Sequence, residues 1–300
     1  PLEYGDTLST IVFARSKTST DYIQSSPSAD QSVNWSIQPV TNVVANAGST
    51  QLSGKASQVS NGTYQVKVQI NGGSIYTTSL DSNGHFQFAN LPTFQGGETV
   101  SLWVQGLSNR TGLPLLTSST VSQTVAYSVP QLTVTQIIER KNAQGLWEAA
   151  NSVVSGQIIR FTLTTRLTNQ PATWMNQQLR ATVPKGLSQL SAATLTKQSA
   201  AGLSTPIAGL QLLTDSSTGL PYWSYHNSLP ADNFTEANTQ FTLQYTATVT
   251  EEWINQFLLF SSTVTGNDGG GTPITPITKE QSLPTKNGTL RFVQMPTTVS

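Results

Sequence analysis

The best candidates for ligand chemistry in this chain are the consecutive residues Tyr222-Trp223-Ser224-Tyr225-His226. Flat aromatic faces rimmed by hydroxyls and amides suit a sugar, whose CH faces stack while polar neighbours fix its hydroxyls. On a strand, Tyr222 and Ser224 point one way and Trp223 and Tyr225 the other. The aromatics can therefore form a binding platform around Trp223, or pack as core beneath the surrounding chain. Tyr222, Trp223, Tyr225 and His226 are the candidate ligand-binding residues.

Other chemistry finds little to work with. Nucleophilic catalysis needs a base beside the nucleophile and a third group to orient it. The chain has two histidines: His85, directly after a turn, and His226. No G-x-S-x-G elbow, H-E-x-x-H helix or Walker loop occurs. With no cysteine, His/Cys metal clusters are excluded. Asp81-x-Asn83-Gly84 has the alternating oxygens of half a calcium loop, but the later ligands are missing and a hairpin turn explains it. Glu251 and Glu252 are adjacent, so on a strand they face apart and cannot flank a glycosidic bond. The expectation is a non-enzymatic chain with no catalytic residue, no metal site and no cofactor.

Charge narrows the partners. Of 300 residues only 10% are charged, and 15 basic side chains balance 15 acidic ones. Nucleic-acid binding rests on Lys and Arg neutralising phosphates, and polybasic membrane attachment needs the same excess. No apolar run approaches the roughly 20 residues that span a bilayer, so neither nucleic acid nor membrane insertion within this segment is expected. The start at Pro1-Leu2-Glu3 reads as a processed or excised piece. Without disulfides the chain must be held by core burial alone. Ser, Thr, Gln and Asn richness beside that absence points to an exported surface protein rather than a cytosolic one.

The elements that must position these residues are strands. Thr63–Ile70 alternates Tyr64, Val66, Val68 and Ile70 with Gln65, Lys67 and Gln69, as a half-buried strand does. Asn71-Gly72-Gly73 then marks a hairpin. Ile159, Phe161, Leu163 and Leu167 alternate with polar neighbours, and so do Phe241, Leu243, Tyr245, Ala247 and Val249. Turns recur every 8–12 residues or so, the spacing of a sandwich. The fold class is all-β, with tandem Ig-like β-sandwich domains. Residues 1–36 read as an N-terminal strand and linker segment, and 37–128 as one sandwich. Residues 129–265 read as a second sandwich with a long insert, 194–238, that covers one end. The Gly- and Pro-marked residues 266–300 read as a linker running into a further domain.

Tyr64-Gln65-Val66-Lys67-Val68, Asp81-Ser82-Asn83-Gly84-His85-Phe86 and Gly97-Glu98-Thr99-Val100 together resemble bacterial Ig-like surface modules. The second module resembles surface-repeat sandwiches that end in V-T-G, here Val264-Thr265-Gly266. The run from Asn287 through Gly288, Leu290, Phe292, Val293 and Pro296 resembles the opening strands of the WxL wall-binding domain of Gram-positive surface proteins. The Trp-x-Leu motifs are absent, since Trp103, Trp147 and Trp253 are followed two residues later by Gln, Ala and Asn. Surface sandwiches of this kind sometimes carry a Lys–Asn isopeptide cross-link, for which Lys55, Lys67 and Lys141 are available but not paired by sequence. The resemblance implies an extracellular, cell-wall-associated protein that displays, spaces or adheres, with wall or surface-protein partners. The alternative is a carbohydrate-binding or host-glycan adhesin module.

Overall fold

The structure, a computed structural model, describes residues 4, 6–15, 22–32, 36–57, 63–112 and 114–287. The chain forms two compact units, residues 1–126 and 127–300.

The first unit opens with two short ribbons. β1 (Thr7–Leu8) pairs with β4 (Gln31–Ser32), and β2 (Phe13–Arg15) pairs with β3 (Tyr22–Gln24). A sandwich follows from β5 (Thr41–Ala45), β6 (Leu52–Lys55), β7 (Thr63–Ile70), β8 (Ile75–Ser79), β9 (His85–Phe88), β10 (Thr99–Leu107), β11 (Pro114–Thr117) and β12 (Val121–Thr124). One sheet has the order β5-β6-β9; the other runs β11-β10-β7-β8, with β12 also on β10. Tyr64, Val66 and Val68 of β7 and Val100, Leu102 and Val104 of β10 are buried against Leu52, Phe86 and Phe88 of the facing sheet. Period-two alternation puts those apolar side chains on one face, and their burial drives the two sheets together.

The second unit is a larger sandwich. Its strands are β13 (Leu132–Lys141), β14 (Trp147–Ala149), β15 (Val153–Val154), β16 (Ile158–Leu167), β17 (Met175–Thr182), β18 (Leu187–Ser188) and β19 (Thr194–Gln198). There follow β20 (Ser204–Pro206), β21 (Gln211–Thr214), β22 (Pro221–His226), β23 (Gln240–Val249), β24 (Phe257–Asn267) and β25 (Ile277–Lys286). The seven-stranded sheet runs β14-β13-β16-β23-β19-β20, with β18 also on β23. The six-stranded sheet runs β15-β25-β24-β17-β22-β21. Phe161 of β16 stacks on Tyr245 of β23 at 5.0 Å and, across the sandwich, on Phe260 of β24 at 5.6 Å. The Ser262 hydroxyl donates to the Gln136 side-chain oxygen at 2.9 Å, a polar bond between the facing sheets.

Three expectations about organisation change. The 194–238 insert does not cap the sandwich from outside. It supplies β19 to β22, which belong to both sheets. Of residues 266–300, read as a linker, the described part up to residue 287 forms a hairpin. Asp268 Oδ1 accepts the backbone N–H groups of Gly270 (2.9 Å) and Thr272 (2.8 Å), and the chain returns as β25 beside β24. Gly, Asp and Pro serve tight turns and linkers equally, so composition alone does not separate them. Glu251 and Glu252 sit in a 3-10 turn, Glu251–Trp253, rather than on a strand. The WxL-like run after Asn287 lies outside the described residues.

Candidate functional site

Strand β22 carries the candidate residues between β17 and β21. Alternation divides them as the spacing requires. Trp223 and Tyr225 point inward and are 8% and 3% exposed. Trp223 lies 6.3 Å from the Tyr245 ring, and Tyr225 meets Phe241 edge-on at 5.5 Å. Burial, with the nearby Asp232 carboxylate adding to it, pushes the Tyr225 phenol up to about 12. The platform expected around Trp223 is therefore corrected: Trp223 and Tyr225 are core, because their face of β22 is the one that meets β23.

Tyr222, Ser224 and His226 point outward. In register, Gln178 of β17 lies between Thr265 of β24 and His226 of β22, and Arg180 between Thr263 and Ser224. These side chains border a shallow cavity of about 500 Å³. The Arg180 guanidinium lies over the Tyr222 ring at 3.9 Å and donates to the Asp215 carboxylate. Asp215 Oδ1 also accepts the Ser217 hydroxyl at 2.6 Å and the backbone N–H groups of Ser217 and Thr218, each at 2.9 Å. The Ser217 hydroxyl first, then Arg180 and the two N–H groups, hold this carboxyl well below the usual carboxylate range. The result is a fixed cation stacked on an aromatic ring, with its charge offset.

A larger cavity of about 670 Å³ lies in the first unit beside Lys55, Asp81 and His85. Several of its polar groups are occupied by the fold. Asp81 Oδ1 accepts the N–H groups of His85 and Asn83, each at 2.8 Å, and the bond from His85 does most to lower its pKa. The Thr78 hydroxyl donates to the Gln87 carbonyl at 3.0 Å, and the Gln87 amide donates to Gln51 at 3.0 Å. The Asp81 loop is thus a hairpin turn using its own carboxylate. Among the described residues no three His, Cys, Asp or Glu side chains group to hold a metal.

Lys55 and Lys141 are exposed and Lys67 is half-buried. Sequence reasoning missed Lys197. Its ammonium donates to the carbonyls of Ala231 (3.1 Å) and Asn233 (3.2 Å) and lies 5.4 Å from the Phe234 ring. Partial burial lowers its pKa against the opposing pull of Asp232. Gln178 and Arg180 were missed as well. Both sit on an alternating polar face that looks like any solvated strand, and only pairing with β22 brings them to Tyr222.

No family model matches the chain, and no curated protein matches it. Solved structures give distant likenesses. The C-terminal domain of the Streptococcus pyogenes antigen I/II-family protein AspA is 9% identical at a TM-score of 0.38, covering 83% of this chain and 99% of that one. A variant of BcpA, the major pilin subunit of Bacillus cereus, is 12% identical at 0.36, covering 75% of this chain and 65% of that one. The C-terminal domain of the Streptococcus agalactiae antigen I/II polypeptide BspA is 10% identical at 0.35, covering 84% of this chain and 99% of that one. At these values the likeness carries nothing about activity or partner.

Proposed function

We propose that this chain is a non-enzymatic part of a Gram-positive cell-surface protein, extracellular and wall-associated, whose sandwiches display and space adhesive surface. The carrying observation is the contrast between face and core in the second unit. Inside, the strands bury apolar side chains with no disulfide. Outside, Thr135, Thr164, Thr242 and Thr196 stand side by side across β13, β16, β23 and β19. Such uncharged hydroxyl faces stay solvated near a wall without attracting polyanions. An antibody against the chain tests this: labelling of intact cells that is lost on protease shaving is the expected result. Labelling that appears only after lysis overturns it.

A second reading, glycan contact, is favoured by the cavity bordered by Gln178, Arg180, Tyr222 and His226 on the outer face of the six-stranded sheet. That face replaces the Trp223 platform as the place where a sugar would lie.

A further inference from the structure

We propose that the outer face of the six-stranded sheet binds a neutral saccharide unit, held by Gln178, Arg180, Ser224 and His226 against Tyr222. The proposal rests on the glycan-contact reading and gives it a site and a ligand class.

The geometry supplies the first argument. Gln178 stands directly opposite His226, and Arg180 directly opposite Ser224, so four polar side chains from two paired strands border one depression. Its volume of about 500 Å³ falls within the range of small-ligand sites, and it opens to solvent as a site for one or two units of a longer glycan must.

Hydrogen-bonding capacity supplies the second. Among the described residues the side chains of Gln178, Ser224 and His226 have no hydrogen-bond partner. An amide, a hydroxyl and an imidazole offer both donors and acceptors. A sugar hydroxyl also does both, so the set matches a polyol better than a group that only accepts. Arg180 is already ordered by Tyr222 and Asp215. It therefore presents its remaining N–H groups without losing much side-chain freedom on binding.

Charge supplies the third and decides the class. Among the described residues Arg180 is the one Lys, Arg, Asp or Glu bordering the cavity, and its charge is offset by Asp215. A phosphate, sulfate or sugar carboxylate would meet no uncompensated cation there. A neutral saccharide meets a dipolar, hydroxyl-matched surface beside the Tyr222 ring, one face of which Arg180 covers.

The test is a glycan array of neutral, sialylated and phosphorylated sugars probed with the whole chain, followed by titration of each hit against Gln178→Ala and Ser224→Ala. Both positions face outward, and melting curves check that the variants stay folded. The expected result is binding of neutral glycans, weakened about tenfold in each variant, the worth of one or two hydrogen bonds. Neutral-glycan binding that survives both substitutions overturns this site and leaves the glycan-contact reading standing. A preference for acidic glycans overturns the ligand class. Silence of the unaltered chain across the array overturns the site and the glycan-contact reading together, while the surface-display reading is decided by the shaving experiment.

Discussion

Arg180 and Tyr222 lie on neighbouring strands, and the guanidinium of one rests 3.9 Å from the ring of the other. The same guanidinium bonds Asp215 at the end of β21, 35 positions along the chain. One side chain thus ties three strands at the edge of the six-stranded sheet. The tie costs little to maintain in water because the aromatic face orders the long side chain beforehand.

The Asp215 link makes a pH signature. Its carboxyl titrates lower in the folded chain than its ordinary value of 3.8. Below that value the unfolded chain takes up the proton more readily than the folded one, so stability falls as the pH drops. Above it the contribution is fully present. Melting temperatures of the unaltered chain and Asp215→Asn should differ at neutral pH and converge toward acid. Parallel curves down to pH 2 would contradict the linkage.

Trp223→Ala is expected to act on stability before it acts on any ligand. A side chain 8% exposed and set against Tyr245 leaves a cavity when removed, at about 3–5 kcal/mol for an aromatic in a core. Hydrogen exchange of the β22 and β17 amides should accelerate accordingly. Unchanged protection with altered ligand binding would return Trp223 to the surface.

At alkaline pH the buried tyrosines take over. Tyr225 is pushed up to about 12 and Tyr245 is raised further by complete burial. In the unfolded chain both ionise near their ordinary value of 10.0. A group kept protonated by the fold contributes fully below that value and progressively less above it. The second unit should therefore lose stability between pH 10 and 12, and Tyr225→Phe should flatten the Tyr225 part of that loss. Phenolate absorbance appearing for all tyrosines before any loss of strand signal would be the contrary result.

The same physics explains what the residues reveal beforehand. Strands β7, β16 and β23 are legible because long period-two runs such as Phe241, Leu243, Tyr245, Ala247 and Val249 have no other economical reading. The division of Tyr222 from Trp223 onto opposite faces is legible too. Which face meets the core is not, because that depends on Ala181 and Val264 on strands paired with it or beyond. Strand β25 hides for a different reason. Of its ten residues only Leu283 and Thr285 are buried, and Pro284 sits within it. Pro is tolerated there because β25 has only two paired positions, with β15, on its far side.

That concealed strand yields the last prediction. A chain ended at residue 265, where the turn-rich composition suggests a boundary, loses β25 and the buried Leu283 and Ile274. It also exposes the full edge of β24, whose Phe257 and Leu259 are already 57% and 65% exposed. An unpaired, apolar edge of that length invites pairing with other chains. The truncated second unit should aggregate or lose its cooperative melt, whereas one ended at residue 287 should keep both strands and melt cooperatively. Equal melting temperatures for the two would mean that β25 adds nothing to the sandwich, against the register of eight residue pairs it makes with β24.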